Sequence, residues 1–294
     1  MQMLIQGEHI MKIFNPYEHL DGHFNPAEIK IIYTPTDYAV MPKASVAFAS
    51  LQAHLPPEEI TMRETEWEKA IAKEPLENEP LVSVRFVDME TGDLKVAPAQ
   101  YKDWKTMAKK SFYHAFGDMY IPNVLNVQML AETSDHYLVL GDRPPKENGK
   151  LPAFQVPGGT LNPNDKRDNY IAPDKGAIRE FEEEVGKVPV ENVSFLGTSF
   201  YAGRVITTLY YAAQLAMTAK ELTAWREKNK DTIKDYKAFP KEHFVPLTSE
   251  GIKAARDSKR LRETAEVGLL LKGKQTLGDQ WFKQNCPKRM LERD

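Results

Sequence analysis

Alternating apolar and polar residues predict a mixture of strands and helices in the first third of the chain. Residues 81–87 alternate as a strand does, residues 90–93 have the composition of a turn, and residues 94–96 return, which together predict a β-hairpin. A further strand is expected at residues 29–33, which are rich in β-branched side chains. Helices are expected over residues 44–55, 64–73 and 101–116. This part of the chain is therefore predicted to be α+β.

From about Ile121 the pattern becomes richer in strands. Two apolar runs flank a Thr-Ser-Asp turn and predict a second hairpin, over residues 124–130 and 137–140. A polar loop and a short strand then lead into Gly158-Gly159. Further strands are predicted at 193–197, 205–215 and 244–247, and helices at 179–186, 220–237 and 261–271. The order predicts a mixed β-sheet between helices, a mixed α-β-α sandwich.

The change of pattern suggests two parts, an N-terminal α+β domain or extension over residues 1–118 and a second domain over residues 119–294. Two insertions are predicted in the second domain. The first is a polar loop at residues 160–175, and the second is a charged segment at residues 218–240 that is expected to be helical with a solvated face. The N-terminal part has two interpretations. We favour packing that completes the core or a dimer, and a role in substrate binding is the alternative.

The strongest chemical signal is the acidic stretch that ends at Gly186. Read as a helix, it places the carboxylates of Glu180, Glu183 and Glu184 on one side, at spacings of three and four residues. Apolar side chains form a separate stripe that would bury the helix, at Ile178, Phe181 and Val185. Three like charges on one face repel each other, so the cluster makes sense if a divalent cation lies between them. A hard cation with oxygen ligands points to chemistry on a phosphate ester or anhydride.

The sequence Arg-Glu-Phe-Glu-Glu-Glu-Val-Gly at residues 179–186, with Gly158-Gly159 upstream, resembles the Nudix box, G-x5-E-x7-R-E-U-x-E-E-x-G-U with U apolar. The second half of the box matches at every defined position. The strand and turn at residues 154–159 and the hairpin that ends at Arg143 also resemble this family. The resemblance implies a Nudix fold in the second domain.

The sequence departs from the box in three ways. Gly159 and Arg179 lie about six residues further apart than the pattern allows, so the loop before the helix carries an insertion. The upstream glutamate is absent, and Asp165 or Asp174 could replace it. The last apolar position holds Lys187.

The resemblance also implies roles for individual residues. Glu183 and Glu184 are the first choices for contact with Mg²⁺, or Mn²⁺, and Glu180 is either a third ligand or a residue of the outer shell. The backbone carbonyl of Gly159 would bind the metal as well. Arg179 would hold a carboxylate in position with its fixed donors. The general base is open between Glu263 and Glu266, chosen from sequence order, and a surface role is the alternative for each.

Other side chains have two interpretations each. Arg204, just before the strand at residues 205–215, could hold a phosphate or be an ordinary surface arginine. Tyr210 and Tyr211 could stack on a base, although a tyrosine pair in a strand more often belongs to the core.

The composition narrows the class of partner. The 294-residue chain has 28% charged residues, 41% hydrophobic residues and a net charge of −3, which gives no general attraction to nucleic acid or to an anionic membrane. No apolar run approaches the ~20 residues that cross a bilayer. The single cysteine, Cys286, rules out an internal disulfide framework and favours a reducing, cytoplasmic compartment. We therefore expect a small-molecule nucleotide substrate, with a homodimer left open.

The order of elements is similar to a Nudix subgroup of animals and plants that splits UDP-glucose and UDP-galactose into UMP and a sugar 1-phosphate. A nucleotide sugar is thus the leading substrate, and ADP-ribose, dinucleotides and oxidised nucleoside triphosphates remain alternatives. Two further hypotheses assign the protein to a different functional class. One is a Nudix-fold binding or regulatory module without chemistry. The other is an RNA-directed enzyme such as a cap hydrolase, which would need a basic groove that this mildly acidic chain does not favour.

Overall fold

The computed structural model describes residues 2–6, 9–15, 29–47, 55–108, 112, 121–143 and 153–291. Fifteen strands are assigned in these ranges: β1 (Gln2–Gln6), β2 (His9–Phe14), β3 (Ile29–Tyr33), β4 (Ala44–Val46), β5 (Pro80–Asp88), β6 (Leu94–Gln100), β7 (Val124–Glu132), β8 (Tyr137–Arg143), β9 (Ala153–Gln155), β10 (Gly158–Thr160), β11 (Lys166–Arg167), β12 (Tyr170–Ile171), β13 (Val190–Tyr201), β14 (Ile206–Leu215) and β15 (Glu242–Pro246). Seven α-helices are assigned in the same ranges: α1 (Pro57–Ile71), α2 (Tyr101–Met107), α3 (Pro173–Glu184), α4 (Ala219–Asn229), α5 (Ser249–Asp257), α6 (Glu263–Leu277) and α7 (Asp279–Asn285).

The strands form one mixed sheet. Its longest path of paired neighbours runs β11-β12-β4-β6-β5-β7-β14-β13-β3. β7 and β14 pair in parallel, whereas β13 pairs antiparallel with both β14 and β3. β8 and β10 also pair with β7, and β9 and β15 pair with β8. The branching at β7 brings the glycine strand β10 beside the centre of the sheet.

Helices pack on both faces of this sheet and make two cores. Alternate residues of a strand point to opposite faces. Leu209 and Tyr211 of β14 accordingly join one core together with Phe181 of α3. Tyr210, on the other face of the same strand, joins a second core with Leu269 of α6. The predicted α-β-α arrangement is confirmed.

Strands from both predicted parts of the chain share the sheet. Ser83 of β5 pairs with Val124 of β7, and the backbone N–H of Val84 donates to the carbonyl of Asn123 at 2.7 Å. β3 pairs along β13 from Tyr33 to Ile29. The N-terminal strands thus extend the sheet of the second part, in keeping with the favoured interpretation of residues 1–118. The division into two domains remains a prediction.

The predicted hairpins are confirmed as β5–β6 and β7–β8, but several helix predictions need correction. Residues 44–46 form a strand because they pair in parallel with β6, and residues 48–54 lie outside the described ranges. α1 begins at Pro57, since proline is tolerated in the first turn of a helix, where an unpaired N–H is normal. α2 ends at Met107, and most of the remaining predicted helix, residues 109–111 and 113–120, lies outside the described ranges.

Both predicted insertions contain more structure than the sequence indicated. The loop at residues 160–175 holds the short hairpin β11–β12, and its last residues already belong to α3, which begins at Pro173. The segment 218–240 begins with α4 as expected, but Leu222 and Arg226 of this helix are buried. In the described part of the chain, no helix combines the length and the apolar character needed to cross a membrane.

Candidate active site

The acidic stretch forms the second half of α3, and the apolar stripe orients this helix. Phe181 and Val185 are fully buried in the core beneath the sheet, and Ile178 packs at its edge. Burying this stripe fixes the rotation of the helix, so the glutamates at i, i+3 and i+4 turn away from the core toward β10. The predicted division of α3 into an apolar and an acidic face is therefore observed.

The two glycines bring β10 into close contact with these carboxylates. Gly158 pairs with Gln128 of β7 and has φ of +153°, and a Cβ there would overlap the carbonyl oxygen of Val127. Its backbone N–H donates to Oε2 of Glu184 at 2.9 Å. A Cβ at Gly159 would overlap Oε2 of Glu180. Glycine is required at Gly158, where the overlap is with backbone, whereas a side chain at Gly159 would displace the carboxylate of Glu180.

Arg179 ties the loop before the helix to the acidic face. Its Nε and Nη2 donate to the two carboxylate oxygens of Asp165, each at 3.0 Å, and Nη1 donates to Oε1 of Glu180 at 2.7 Å. Nη2 also donates to the carbonyl of Thr160 at 3.1 Å. Partial burial works to lower the pKa of Arg179, but Asp165 and Glu180 outweigh that effect and raise it. The guanidinium acts as a rigid link between β10, the inserted loop and α3.

Arg179→Lys should destabilise the protein although it preserves the charge. A lysine has no planar fork and cannot satisfy both oxygens of Asp165 together with Glu180. Losing charged hydrogen bonds of this kind should lower the free energy of unfolding by about 2–3 kcal/mol. Urea denaturation of the variant measures this loss, and Lys166→Arg, which alters an exposed cation of the same loop, is the control. Equal midpoints for Arg179→Lys and the wild type would contradict the proposed link.

Glu183 contacts two cations. Its Oε2 lies 2.9 Å from Nζ of Lys234, and its Oε1 lies 3.5 Å from Nη1 of Arg179. The Lys234 side chain is 67% exposed, and an ion pair at such a position contributes little in water. The backbone N–H of Asp235 donates to the carbonyl of Glu183 at 2.8 Å. The inserted segment at residues 218–240 therefore reaches the acidic face of α3.

Glu184 differs from its neighbours because it is buried and has no cationic partner within ion-pair distance among the described residues. It is 5% exposed, and its described hydrogen bond comes from the N–H of Gly158. Burial raises the pKa of Glu184 to about 8, against the opposing effect of that hydrogen bond. Burial also raises the pKa of Glu180, despite the adjacent Arg179. Both shifts arise chiefly from burial, which disfavours the charged form of a carboxyl group.

The carboxylate cluster, defined as Asp165, Glu180, Glu183 and Glu184, is not arranged as a metal centre. Across the described ranges, no three His, Cys, Asp or Glu side chains come together in a geometry that could hold a metal ion. Each carboxylate is turned toward a donor of the protein.

The end of α3 rests on a buried arginine from the inserted segment. Arg226 is 1% exposed, and its Nη1 donates to Glu242 at 2.6 Å. Its Nη2 donates to the carbonyl of Phe239 at 2.7 Å and to that of Glu184 at 3.2 Å. The ring of Trp225 packs against Gly186. The expected solvated face of α4 is present, and its opposite face encloses Arg226, because charge alternation along a helix does not reveal which charged side chain is enclosed.

The remaining acidic candidates from the sequence lie at different places. Asp174 pairs with Arg167 at 2.6 Å, whereas Asp165 receives the Arg179 fork. Of the two general-base candidates, Glu266 is held by Arg256 at 3.0 Å, and Glu263 is exposed in the first turn of α6. Of the two, only Glu266 is held in an ion pair with a described residue.

Tyr210 and Tyr211 belong to the core and not to a nucleotide pocket. Both are fully buried, and the hydroxyl of Tyr210 lies 2.9 Å from that of Ser199. The hypothesis that either ring stacks on a base is wrong, because both faces of the sheet are covered at β14. Arg204 is exposed at the turn between β13 and β14, and its guanidinium lies over the Tyr201 ring at 5.7 Å.

Sequence reasoning missed Lys234, Arg226 and Arg262. Each lies far from α3 along the chain and in a charged stretch, so its neighbours were not visible in the order of residues. A single buried arginine in the α4 segment could have been suspected only from the apolar residues around it.

The family model for the NUDIX domain matches residues 119–260. Among solved structures, the chain is similar to a NUDIX hydrolase from Nitrosomonas europaea, with 14% identity and a TM-score of 0.36 over 51% of this chain and 86% of that one. It is also similar to Tm1382, with 16% identity and a TM-score of 0.36 over 52% and 71% of the two chains. The E. coli ORF135 protein gives 16% identity and a TM-score of 0.32 over 52% and 89%.

A search of the curated proteins finds no significant match to this chain. The NUDIX match includes β10 and α3, the elements that carry the acidic face and its two glycines. Residues 119–260 are therefore a Nudix domain, a domain of hydrolases that act on pyrophosphate bonds.

Proposed function

We propose that the protein is a Mg²⁺-dependent hydrolase of the pyrophosphate bond in a nucleoside diphosphate linked to another moiety, with a nucleotide sugar such as UDP-glucose as the leading substrate. The products would be a nucleoside monophosphate and a sugar 1-phosphate. The observation that carries this proposal is the buried carboxylate of Glu184, which lies against the Gly158 N–H without a cationic partner within ion-pair distance.

The donors present fit a hard divalent cation. Four carboxylates of the cluster face two cationic side chains, Arg179 and Lys234, so negative charge is in excess. Oxygen donors of this kind suit Mg²⁺ or Mn²⁺. Glu183 and Glu184 would hold the cation, with Glu180 and the Gly159 carbonyl completing the set. When bound, such a cation neutralises phosphate charge and activates water for attack on phosphorus.

The chain's own residues would prepare this site. Arg179 fixes the carboxylate of Glu180 beside Gly159 and keeps the inserted loop attached through Asp165. The hydrogen bond from Gly158 holds Glu184 at the edge of β10. Lys234 pairs weakly with Glu183, since its ammonium is exposed, and would therefore not keep that carboxylate from a cation. These contacts order the ligands before substrate arrives, which lowers the cost of binding.

Glu263 is the better of the two general-base candidates. It is exposed at the start of α6, close enough to Tyr201 and Arg262 for its charge to act on both. Arg256 occupies Oε1 of Glu266 at 3.0 Å. Glu263→Gln should therefore lower kcat more than Glu266→Gln does, and steady-state kinetics on the substrate identified below measures the difference. A larger loss for Glu266→Gln would reverse the assignment.

A substrate panel tests the proposed reaction. UDP-glucose, UDP-galactose, ADP-ribose, NADH, diadenosine polyphosphates and capped RNA would each be incubated with protein and Mg²⁺, and products separated by anion-exchange chromatography. We expect turnover of at least one nucleoside diphosphate derivative, fastest for a UDP-sugar, with no product in excess EDTA.

The alternatives give different results in the same panel. Faster hydrolysis of ADP-ribose or a dinucleotide would replace the nucleotide sugar but keep the reaction class. Binding of a nucleotide without any product would favour a non-catalytic Nudix module. Turnover that is unchanged in EDTA would contradict the cation requirement.

A further inference from the structure

Arg262 is a half-buried cation that forms no ion pair with the described residues. It lies at the start of α6, and its side chain makes no hydrogen bond or ion pair with the described residues. Burial and the positive charges of Arg143 and Arg204 together lower the pKa of Arg262 to about 10, against the opposing effects of Glu263 and Glu184. A guanidinium stays protonated at neutral pH even so. The backbone N–H of Arg262 donates to the carbonyl of Phe154 at 3.0 Å, so the start of α6 lies beside β9, and the charges of Arg143 and Arg204 act on Arg262 there.

Arg143 adds a second unbalanced donor group. It ends β8, and its Nη1 donates to Oε1 of Gln155 at 3.2 Å. Gln155 is 4% exposed, and its Nε2 has no hydrogen-bond partner among the described residues. A buried amide N–H that lacks an acceptor costs free energy, so native proteins normally supply one. The missing acceptor at this place indicates a ligand oxygen.

Arg204 completes the group from the turn between β13 and β14. Trp104 of α2 donates its indole N–H to the carbonyl of Arg204 at 3.0 Å. The next residue, Val205, has φ of +52°, which is strained for a β-branched side chain. The N-terminal part of the chain thus supports a turn that presents an arginine toward α6.

We propose that the arginine cluster, defined as Arg143, Arg204 and Arg262, binds the diphosphate of the substrate, with the free N–H of Gln155 donating to one of its oxygens. This inference rests on the proposed function for the identity of the anion. Residues outside the acidic helix would then recognise phosphate. One of them, Arg204, lies in a turn that the N-terminal part of the chain supports.

One ligand could contact both the arginine cluster and the carboxylate cluster. The charge of Arg143 acts on Glu184, and Glu184 in turn acts on Arg262. A diphosphate could then contact a cation held by Glu184 on one side and guanidinium groups on the other. Arginine suits this task because its planar donors match two phosphate oxygens at once. Among the described residues, no carboxylate forms an ion pair with these three guanidinium groups.

Calorimetric titration with inorganic pyrophosphate, in EDTA and low salt, isolates this site from the metal and from turnover. The wild type should bind pyrophosphate. Arg262→Gln and Arg204→Gln should each weaken binding by about 10- to 100-fold, as expected for the loss of charged hydrogen bonds. Arg289→Gln, which removes the same charge from an exposed turn near the C-terminus, should leave the affinity unchanged.

The variants distinguish a binding role from a structural one. Arg262→Lys should recover part of the affinity, because it restores charge without the fork, and thermal melts would establish that each variant is folded. Arg204 is exposed, so Arg204→Gln keeps the test valid even if Arg262→Gln unfolds. Wild-type affinity in folded Arg204→Gln, or no binding by the wild type, would overturn the assignment. Pyrophosphate binding without turnover of any panel substrate would overturn the proposed reaction but leave the arginine site intact.

Discussion

Glu184→Gln is expected to abolish most of the activity, with kcat on the best panel substrate falling by at least about 100-fold. The substitution keeps the size of the side chain and removes its charge. The carboxylate is 5% exposed and forms no ion pair with a cation of the described residues, so its loss should directly weaken cation binding. Glu183→Gln should have a comparable effect, since these two carboxylates are the proposed primary ligands.

The same variants should lose affinity for the cation itself. Calorimetric titration of Mn²⁺ into the protein, without substrate, measures this loss directly, and we expect a reduction of at least about tenfold for each variant. Glu182→Gln provides the matched control because it removes a carboxylate from the same helix, outside the cluster. Wild-type rates and Mn²⁺ affinity in both Glu183→Gln and Glu184→Gln would refute the ligand assignment.

Glu184→Gln should not unfold the protein. Burial raises the pKa of this carboxyl group to about 8, so its charged form is disfavoured in the folded state. Replacing a carboxyl group of this kind by a neutral amide should leave the melting temperature equal to or above that of the wild type. This outcome would separate the loss of activity from a loss of structure.

Arg226→Gln is expected to have the largest effect on stability, lowering the free energy of unfolding by about 3–5 kcal/mol. The shorter side chain cannot reach Glu242, whose carboxylate is 12% exposed and would be left without its cation. It would also leave the carbonyls of Glu184 and Phe239 without their donor. A loss of this size corresponds to a drop in melting temperature of roughly 10 °C.

A double-mutant cycle shows whether the ion pair is the cause. Combining Arg226→Gln with Glu242→Gln should recover part of the lost stability, because the second change removes the stranded charge. Lys228→Gln, on the exposed side of the same helix, should shift the melting temperature by less than about 2 °C. If Arg226→Gln behaved like this control, the inserted segment would not support α3 in the way described.

The sequence alone shows features that depend on residues close together along the chain, such as strand alternation and helical spacing. The β5–β6 and β7–β8 hairpins follow from alternation and turn composition, and the apolar stripe of α3 predicts its orientation. The box residues likewise carry their chemistry locally, since three glutamates at helical spacing share a face wherever the helix lies. These inferences succeed because neighbours in space are also neighbours along the chain.

Predictions from the local pattern are wrong or incomplete where a residue's contacts are distant along the chain. The local pattern predicts a helix over residues 44–55. Residues 44–46 instead form β4, because they pair in parallel with residues 94–96 of β6. The alternating charges of the segment around α4 predict a solvated face, but they do not show that Arg226 is enclosed between α3 and β15. In both cases tertiary contacts outweighed a weak local preference.

The sequence alone therefore determined the Nudix family, the acidic face of α3 and its pairing with two glycines, because these depend on residue type and spacing within one motif. Only the tertiary structure decided which cations surround that face. Lys234, Arg226 and the arginine cluster come from segments separated by up to about 120 residues, and long-range folding of the sheet brings them together. Charge compensation depends on distance in space, and a linear sequence does not contain that distance.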